Sequence, residues 1–190
     1  MSVRRIMAAT ITVPLAALIC TAPASAAFGA EPTCAGHKAT IVVKKGKKVV
    51  HGTAHDDVIV LLAGGHVVNA GKGNDLICGS SGRDVINGGP GNDQVFGGGG
   101  NDVENGGAGA DELNGGSGAD LLNGGDGDDE LDGGNGNDQL DGQNGDDDLR
   151  GGHGKDRFKD HKGHNKHHDQ DQPDQDDDHG GDHHDEGDDD

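Results

Sequence analysis

The sequence has no tryptophan, no tyrosine and only three phenylalanines among its 190 residues, whereas 38 residues are glycine. Aromatic side chains bury the largest apolar areas, so this composition excludes an ordinary, densely packed globular core. Basic residues are also few, since 15 lysines and arginines stand against 35 aspartates and glutamates, and the formal net charge is −20. Such a charge repels a phosphate backbone, and we therefore predict no nucleic-acid partner.

Catalytic motifs are absent as well. The chain contains neither the H-E-x-x-H pattern of zinc proteases nor the G-x-S-x-G pattern of serine hydrolases. Outside the leader, the repeats and the tail described below, only residues 27–69 remain, and they are too few for a catalytic domain. We predict that the protein is not an enzyme.

The longest apolar run lies at the N-terminus and is too short to span a bilayer, which takes about 20 apolar residues. It follows Arg4 and Arg5 and ends before an A-x-A cleavage site at residues 24–26. Residues 1–26 are therefore predicted to be a signal peptide, and the mature chain is predicted to be secreted, extracellular and without a membrane span. Two export routes stay open: the general secretory route, which we favour, and the twin-arginine route.

Three cysteines are present, and Cys20 lies within the predicted signal peptide. Cys34 and Cys78 remain as an even pair in an oxidising compartment, which predicts a disulfide bond. Closing a loop of this length stabilises a fold by about 4 kcal/mol in the chain-entropy model.

Against these absences stands one strong regularity, because ten nonapeptides follow one another without a gap through residues 70–159. Glycine is frequent at positions one, two and four, and position eight is apolar in nine of the ten units. A flexible acidic spacer would have no reason to keep one aspartate per period while position seven varies. The pattern therefore predicts one geometric site copied along an axis. The invariant residues at position six are Asp75, Asp84, Asp93, Asp102, Asp111, Asp120, Asp129, Asp138, Asp147 and Asp156.

The units between residues 106 and 141 fit G-G-x-G-x-D-x-U-x best, where U is apolar, as in the stretch GGSGADLLN at 115–123. The chain thereby resembles the RTX (repeats-in-toxin), or hemolysin-type, calcium-binding repeat proteins. The resemblance implies an all-β fold, a right-handed parallel β-roll (a β-solenoid) in which two nonapeptides form one coil. It also implies calcium between stacked turns, held by carbonyl oxygens and by aspartates two units apart, such as Asp93 and Asp111. The position-six aspartates are then the ligands of about eight Ca²⁺ ions, and calcium accepts six to eight oxygens.

Three departures from the repeat concern its interior and its turns. Glu104 occupies an inward-facing position eight, where burial of a lone carboxylate is costly unless the group finds a partner. Two alternatives stay open, an inward turn of Val103 in its place or a bulge in the strand. Ser80 and Gln143 replace glycine at position two of their units. Sites that involve those turns are expected to be weaker.

Residues 27–69 are predicted to form an N-terminal hairpin cap followed by two degenerate repeats. Two β-branched runs, at 40–43 and 49–50, flank a lysine-rich turn and predict the hairpin. It would cover the open end of the stack. Asp57 and His66 occupy position six of the degenerate units, which are expected to form coils with little or no calcium. The lysines at 44–48 either contact an anionic cell-surface or cell-wall polymer or form a solvated turn, and the sequence leaves both open.

Residues 160–190 are predicted to be a disordered tail, because they hold thirteen acidic residues and no apolar side chain. Imidazole suits zinc or nickel, so the tail either binds Zn²⁺ or Ni²⁺ or only keeps the chain soluble. Aspartate sites, with a reference pKa near 3.9, are expected to keep calcium at a mildly acidic pH that protonates histidines. The candidate ligands of the tail are His161, His164, His167, His168, His179, His183 and His184.

Calcium binding with coupled folding is therefore the predicted biochemical function. Two broader roles stay open, an extracellular structural or adhesive module and a metal buffer that uses the tail. The sequence determines neither the oligomeric state nor a protein partner.

Overall fold

The computed structural model describes residues 31–44, 48–159 and 165–169. The predicted signal peptide and most of the tail lie outside these ranges. Every regular element within them is a β-strand. The strands are β1 Thr33–Cys34, β2 His37–Lys38, β3 Ile41–Val43, β4 Val49–His51, β5 Val58–Leu61, β6 Val67–Asn69, β7 Leu76–Cys78, β8 Val85–Pro90, β9 Gln94–Phe96, β10 Val103–Ala108, β11 Glu112–Ser117, β12 Leu121–Asp126, β13 Glu130–Gly136, β14 Gln139–Asn144, β15 Asp148–Gly154, β16 Arg157–Lys159 and β17 Lys166–Asp169.

Two long parallel sheets contain all strands from β3 onward. The odd-numbered strands β3 to β17 form an eight-stranded sheet, and the even-numbered strands β4 to β16 form a seven-stranded sheet. Within each sheet a strand pairs with the strand two nonapeptides away, so that Val103 of β10 lies opposite Val85 of β8 and Leu121 of β12. Each coil of the solenoid thus consists of two nonapeptides. The all-β fold, the parallel solenoid and the two-unit coil that the sequence predicts are confirmed.

Alternation along each short strand gives the solenoid its narrow core. Successive side chains of a strand point to opposite faces, so position eight faces inward and positions seven and nine face outward. The position-eight side chains stack in two ladders between the sheets and are buried, with Phe158 half-buried at the last rung. The buried apolar members are Ile59, Val68, Ile77, Ile86, Val95, Leu113, Leu122, Leu131, Leu140 and Leu149.

Glycines at positions two and four permit the turns between strands. Gly107 and Gly109 have φ angles of 120° and 130°, in the left-handed region that side chains disfavour. A Cβ on either residue would also collide with the carbonyl oxygen of the equivalent glycine in the preceding coil. Successive turns therefore stack closely enough for their backbones to touch.

The predicted hairpin at residues 40–50 is wrong. β3 pairs in parallel with β5, and β4 pairs in parallel with β6 in the opposite sheet, so the two runs form the first coil of the solenoid. This arrangement buries Val43 and Val50 in the central core. The degenerate repeats form β5 and β6 in the same register as the later units, as the sequence predicts.

The hairpin that does occur is shorter and lies earlier in the chain. β1 and β2 are antiparallel and joined by Ala35 and Gly36, both with positive φ, as a two-residue type I′ hairpin turn requires. A disulfide between Cys34 and Cys78 fixes this hairpin to the outer face of the eight-stranded sheet, with Cα atoms 5.7 Å apart. The predicted disulfide is confirmed. It joins the hairpin to the first complete repeat.

The solenoid continues beyond the predicted start of the tail. Lys166–Asp169 forms β17, which pairs in parallel with β15, so the prediction of an unstructured tail is wrong for residues 165–169. The His167 ring stacks on Phe158 with centroids 4.8 Å apart and covers the last rung of the core. The eight-stranded sheet thereby gains one strand after the tenth complete unit. No helix in the described part of the chain is long and apolar enough to cross a membrane.

Candidate metal centre

Two rows of position-six side chains run along the two edges of the solenoid. One row leads into the eight-stranded sheet and the other into the seven-stranded sheet, and neighbouring members of a row are two units apart. All ten predicted aspartates lie in these rows, and nine of them are buried while Asp156 is half-buried. The first row contains Asp75, Asp93, Asp111, Asp129 and Asp147. The second row contains Asp84, Asp102, Asp120, Asp138 and Asp156.

One carboxylate oxygen of each aspartate joins neighbouring coils. The N–H of Asp102 donates to Oδ1 of Asp120 at 2.7 Å, and the N–H of Asp120 donates to Oδ1 of Asp138 at 2.8 Å. The same bond recurs along both rows. At the end of the first row the Asp147 N–H donates to Oδ1 of Asn165 at 3.2 Å. Oδ1 is thus used to align stacked turns.

The other carboxylate oxygen has no hydrogen-bond partner in most units. Oδ2 is buried and unpartnered in eight of the aspartates. Burying a carboxylate oxygen without a partner costs several kcal/mol, so a repeated arrangement of this kind is the one expected of residues that hold a cation. The eight residues are Asp75, Asp93, Asp102, Asp111, Asp120, Asp129, Asp138 and Asp147.

The free Oδ2 atoms share their surroundings with backbone carbonyl oxygens. A Cβ placed on Gly133, at position one of its unit, would lie 2.7 Å from Oδ2 of Asp138 and 2.7 Å from the carbonyl oxygen of Gly151 in the next coil. Glycine at position one thus leaves room where carboxylate and carbonyl oxygens converge. Hard oxygen donors of both kinds are the ligands that Ca²⁺ prefers, and the residues therefore fit calcium. The same two kinds of oxygen surround the equivalent point at Gly88, Gly97, Gly115 and Gly124.

Carboxylates alone do not complete a site. Among the described residues no three side chains of histidine, cysteine, aspartate or glutamate form a group that could hold a metal ion. A metal ion held here would need backbone carbonyls from the glycine turns as further ligands. Such a requirement would account for the joint repetition of the turns and the aspartates.

Burial raises the pKa of most of these carboxyl groups. Loss of solvent, with neighbouring carboxylates adding to it, raises the pKa of Asp93 and Asp138 to about 6 and that of Asp102 and Asp129 to about 7. The raised values argue against the expectation that the sites keep calcium under mild acidification, because protons compete for the same oxygens near neutral pH.

Two aspartates differ from the rest because a hydroxyl group binds their second oxygen. Oδ2 of Asp84 accepts hydrogen bonds from the Ser80 N–H at 3.1 Å and the Ser80 hydroxyl at 2.8 Å. Oδ2 of Asp57 accepts equivalent bonds from Thr53 at 2.7 and 2.9 Å. In both units Ser or Thr replaces glycine at position two, and its side chain reaches the aspartate at position six. The sequence shows this substitution, but its role as a replacement partner is visible only in the structure.

Glu104 keeps its inward position, and neither the predicted bulge nor an inward turn of Val103 occurs. β10 stays in register with both neighbours, and Glu104 lies between Ile86 and Leu122 in the core ladder. The side chain is fully buried, and among the described residues neither carboxylate oxygen has a hydrogen bond of ordinary geometry, although the Gly97 backbone N–H acts on the group. Burial, together with nearby Asp102 and Asp120, raises the pKa of Glu104 well above its usual value.

The histidines predicted as transition-metal ligands are only partly described. His167 and His168 belong to β17, and Nε2 of His168 lies 3.7 Å from Oδ1 of Asp148. The other five candidates, His161, His164, His179, His183 and His184, lie outside the described residues.

Comparison with known families gives one match. The model of the RTX calcium-binding nonapeptide repeat matches four times, at residues 51–84, 69–104, 105–140 and 123–158. Comparison with curated proteins gives no match. The matched segments cover more than half of the chain and span the same coils that carry the two aspartate rows. The chain therefore belongs to the RTX calcium-binding nonapeptide repeat family.

Proposed function

We propose that the protein binds Ca²⁺ between stacked turns and that this binding drives the folding of most of the solenoid. The observation that carries the proposal is the repeated, buried and unpartnered Oδ2 that lies beside a carbonyl oxygen at the position-one glycines. Membership of a calcium-binding repeat family supports the identity of the ion. The proposed ligands are the ten position-six aspartates, aided by turn carbonyls.

About eight ions are proposed for the two rows. Six pairs of aspartates in adjacent coils have an unpartnered Oδ2 on both members, and Asp102/Asp120 is one of them. The two remaining pairs, Asp84/Asp102 and Asp138/Asp156, lie at the ends of their row. The Asp84/Asp102 site is proposed to be weaker than the others, because calcium there must compete with the hydroxyl group of Ser80.

Calcium and folding are coupled by charge and by chain entropy. The chain carries a net charge of −20, and its many glycines raise the entropic cost of ordering the turns. Ionised carboxylates stacked on the edges of neighbouring coils repel one another, and divalent cations between the coils reverse that repulsion. At neutral pH the middle and C-terminal coils are therefore proposed to fold only when calcium is bound.

The first coils are proposed to be independent of calcium. Thr53 and Ser80 already bind the second carboxylate oxygens of Asp57 and Asp84. The same coils have a core of β-branched side chains and are cross-linked by the Cys34–Cys78 disulfide. They would serve as a folded base on which calcium adds further coils.

The division of the chain follows from the same proposal. Residues 1–26 would be a signal peptide, residues 27–69 a cap with degenerate repeats, residues 70–159 the calcium-binding roll, and residues 160–190 a polar segment that includes β17. Secretion to a calcium-rich extracellular medium suits sites of this kind. We propose a binding or structural role outside the cell, and not a catalytic one.

The histidine-rich segment carries a secondary proposal of Zn²⁺ or Ni²⁺ binding, which its composition supports. Truncation after Asp169 removes His179, His183 and His184 while keeping β17. We expect this truncated chain to lose zinc retention at neutral pH and to keep its response to calcium. Equal zinc retention by the truncated and full chains would show that residues 170–190 are not needed for zinc binding and would leave them a solubilising role.

Far-ultraviolet circular dichroism tests the main proposal. The full chain, freed of metal, should show a weak β spectrum that grows cooperatively as calcium is added, with magnesium as the control ion. Equilibrium dialysis with radioactive calcium should give about eight ions per chain. A full β spectrum without metal, unchanged by calcium, would contradict coupled folding.

A further inference from the structure

Resting on the proposed calcium function, we propose that Glu104 is an additional metal ligand beside Asp102, which makes the Asp102/Asp120 site unlike any other in the solenoid. In every other complete unit position eight is apolar and only fills the core. Glu104 instead carries a charge-bearing group into that core without interrupting the strand register.

The direction of the side chain supports this role. A Cβ placed on Gly97, at position one of the same unit, would lie 2.9 Å from Oδ2 of Asp102 and 2.9 Å from the carbonyl oxygen of Gly115. Oε1 of Glu104 lies still closer to that point. In the other units the closest atom there is an aspartate Oδ2 or a turn carbonyl oxygen, so Glu104 enters the same oxygen-lined space from the core side.

Burial excludes a purely solvated role for this group. Glu104 is 0% exposed, neither Oε1 nor Oε2 has a hydrogen bond of ordinary geometry, and the Gly97 backbone N–H is the one donor that acts on the group in the described structure. The carboxylates of Asp102 and Asp120 are the charged groups that act on it. No cationic side chain acts on it in the described structure. A divalent cation between the Gly97 and Gly115 turns would neutralise the carboxylates of Glu104 and Asp102 beside the carbonyl oxygen of Gly115.

The consequence is one site with a more negative ligand set than its neighbours. Added carboxylates strengthen calcium sites and favour trivalent ions further. This site should therefore fill first in a titration. It shares Asp102 with the weaker Asp84/Asp102 site, so the strongest and the weakest proposed sites of the second row lie side by side.

Europium offers a direct readout, because the energy of the Eu³⁺ excitation band depends on the number of charged ligands. The wild-type chain loaded with Eu³⁺ should show a minor band from the site that includes Glu104 beside the main band. Glu104→Gln and Glu104→Leu should lose the minor band, and calcium affinity at one site should fall by roughly tenfold or more. Glu112→Gln is the matched control, because Glu112 is outward-facing and hydrogen-bonded to Gln94, and it should change neither.

Stability in the two metal states gives a second readout. Glu104→Leu restores the apolar consensus, so it should raise the free energy of unfolding of the metal-free protein relative to wild type. With calcium present the increase should be smaller or become a decrease, because a ligand is lost. The role of Glu104 would be overturned if Glu104→Gln and Glu104→Leu kept the minor band and the wild-type calcium affinity. It would also require that Glu104→Leu stabilise the metal-free and the calcium-loaded protein equally. Failure of the wild-type chain itself to bind calcium would instead reject the proposed function.

Discussion

The amide of Asp102 donates a 2.7 Å hydrogen bond to Oδ1 of Asp120, while Oδ2 of Asp120 is buried without a partner. One carboxylate thus performs two tasks, since one oxygen aligns the turns and the other faces a space lined by carbonyl oxygens. A neutral amide could perform the first task but would be a weaker ligand in the second. This separation makes the two roles distinguishable by substitution.

Asp120→Asn is expected to keep the alignment of the turns and to weaken calcium binding. The amide oxygen can still accept the Asp102 N–H, but the charge is lost from both pairs that include Asp120. We expect its calcium midpoint to rise by roughly tenfold or more, since even outer-shell partners of metal ligands contribute about 10–100-fold to affinity. Circular dichroism during a calcium titration measures the midpoint.

Two further variants serve as controls for Asp120→Asn. Asp156→Asn affects one terminal pair and should raise the midpoint less. Asp128→Asn changes an exposed aspartate at position five whose Oδ1 accepts the Asp146 N–H at 3.0 Å, and it should have little effect. Equal midpoints for Asp120→Asn and Asp156→Asn would contradict the pairing of aspartates two units apart.

Periodicity predicts the aspartate rows, the inward ladder and the coil length because one side chain per period performs one task at each rung. It does not predict the partner of each N-terminal strand. The runs at 40–43 and 49–50 are β-branched, and such a pattern does not distinguish an antiparallel hairpin from two stacked parallel strands. Burial of Val43 and Val50 on the core ladder favours the stacked parallel strands. The free energy gained by that burial depends on the later coils, which the local pattern does not include.

Two other features escape sequence-based prediction for a related reason. The sequence at Ser80 suggests only a loosened turn, because its hydrogen bond to Asp84 depends on how the turn folds back on itself. β17 does not stand out because position eight of its unit is a histidine, not an apolar residue. Its stability comes from the stacking of His167 on Phe158 and from pairing with β15. Both features depend on neighbours that composition does not reveal.

Ser80→Gly is expected to create a stronger calcium site at the Asp84/Asp102 pair. The substitution restores glycine at position two and releases Oδ2 of Asp84 from the Ser80 hydroxyl, so that only the main-chain N–H still binds it. Calcium affinity at the N-terminal end of the second row should rise, while the metal-free first coils lose about 1 kcal/mol of stability. Isothermal titration calorimetry and thermal unfolding in chelator measure the two effects, and unchanged calcium binding would show that the hydroxyl group does not compete.

Gln143→Gly is expected to stabilise the roll by about 1 kcal/mol. Gln143 has a φ of 71°, in the left-handed region that costs an L-residue roughly 1–2 kcal/mol, and part of this gain is offset by the entropy of the added glycine. Thermal unfolding in saturating calcium measures the change. Gly125→Gln, at the equivalent turn of the preceding coil with a φ of 125°, is the converse variant and should destabilise.

Removal of calcium should leave the first coils folded. Amide hydrogen exchange in chelator should retain protection in Ile41–Val43, Val58–Leu61 and Leu76–Cys78, and lose it in the strands from Glu112 onward. The reason is that hydroxyl groups bind the carboxylates of Asp57 and Asp84 and that the disulfide holds Leu76–Cys78 even though Oδ2 of Asp75 has no partner. The later carboxylates have neither kind of support. Reduction of the Cys34–Cys78 disulfide is the matched perturbation and should lower protection in the first coils alone. Uniform loss of protection along the chain would contradict a calcium-independent base.

Acidity should affect the metal-free and calcium-loaded chains in opposite directions. Burial raises the pKa of Asp93 and Asp138 to about 6 and that of Asp102 and Asp129 to about 7, from 3.8. The folded roll therefore holds protons more tightly than the unfolded chain does, so without metal its stability is greatest below about pH 4 and is lost as pH rises through 6 to 7. Calcium needs the ionised carboxylates, and its affinity should instead rise across the same interval. Circular dichroism on resin-treated protein from pH 4 to 8, with and without calcium, measures both trends. A metal-free β spectrum that weakens on acidification from pH 7 to 5 would show that burial of these carboxyl groups does not govern the folding of the roll.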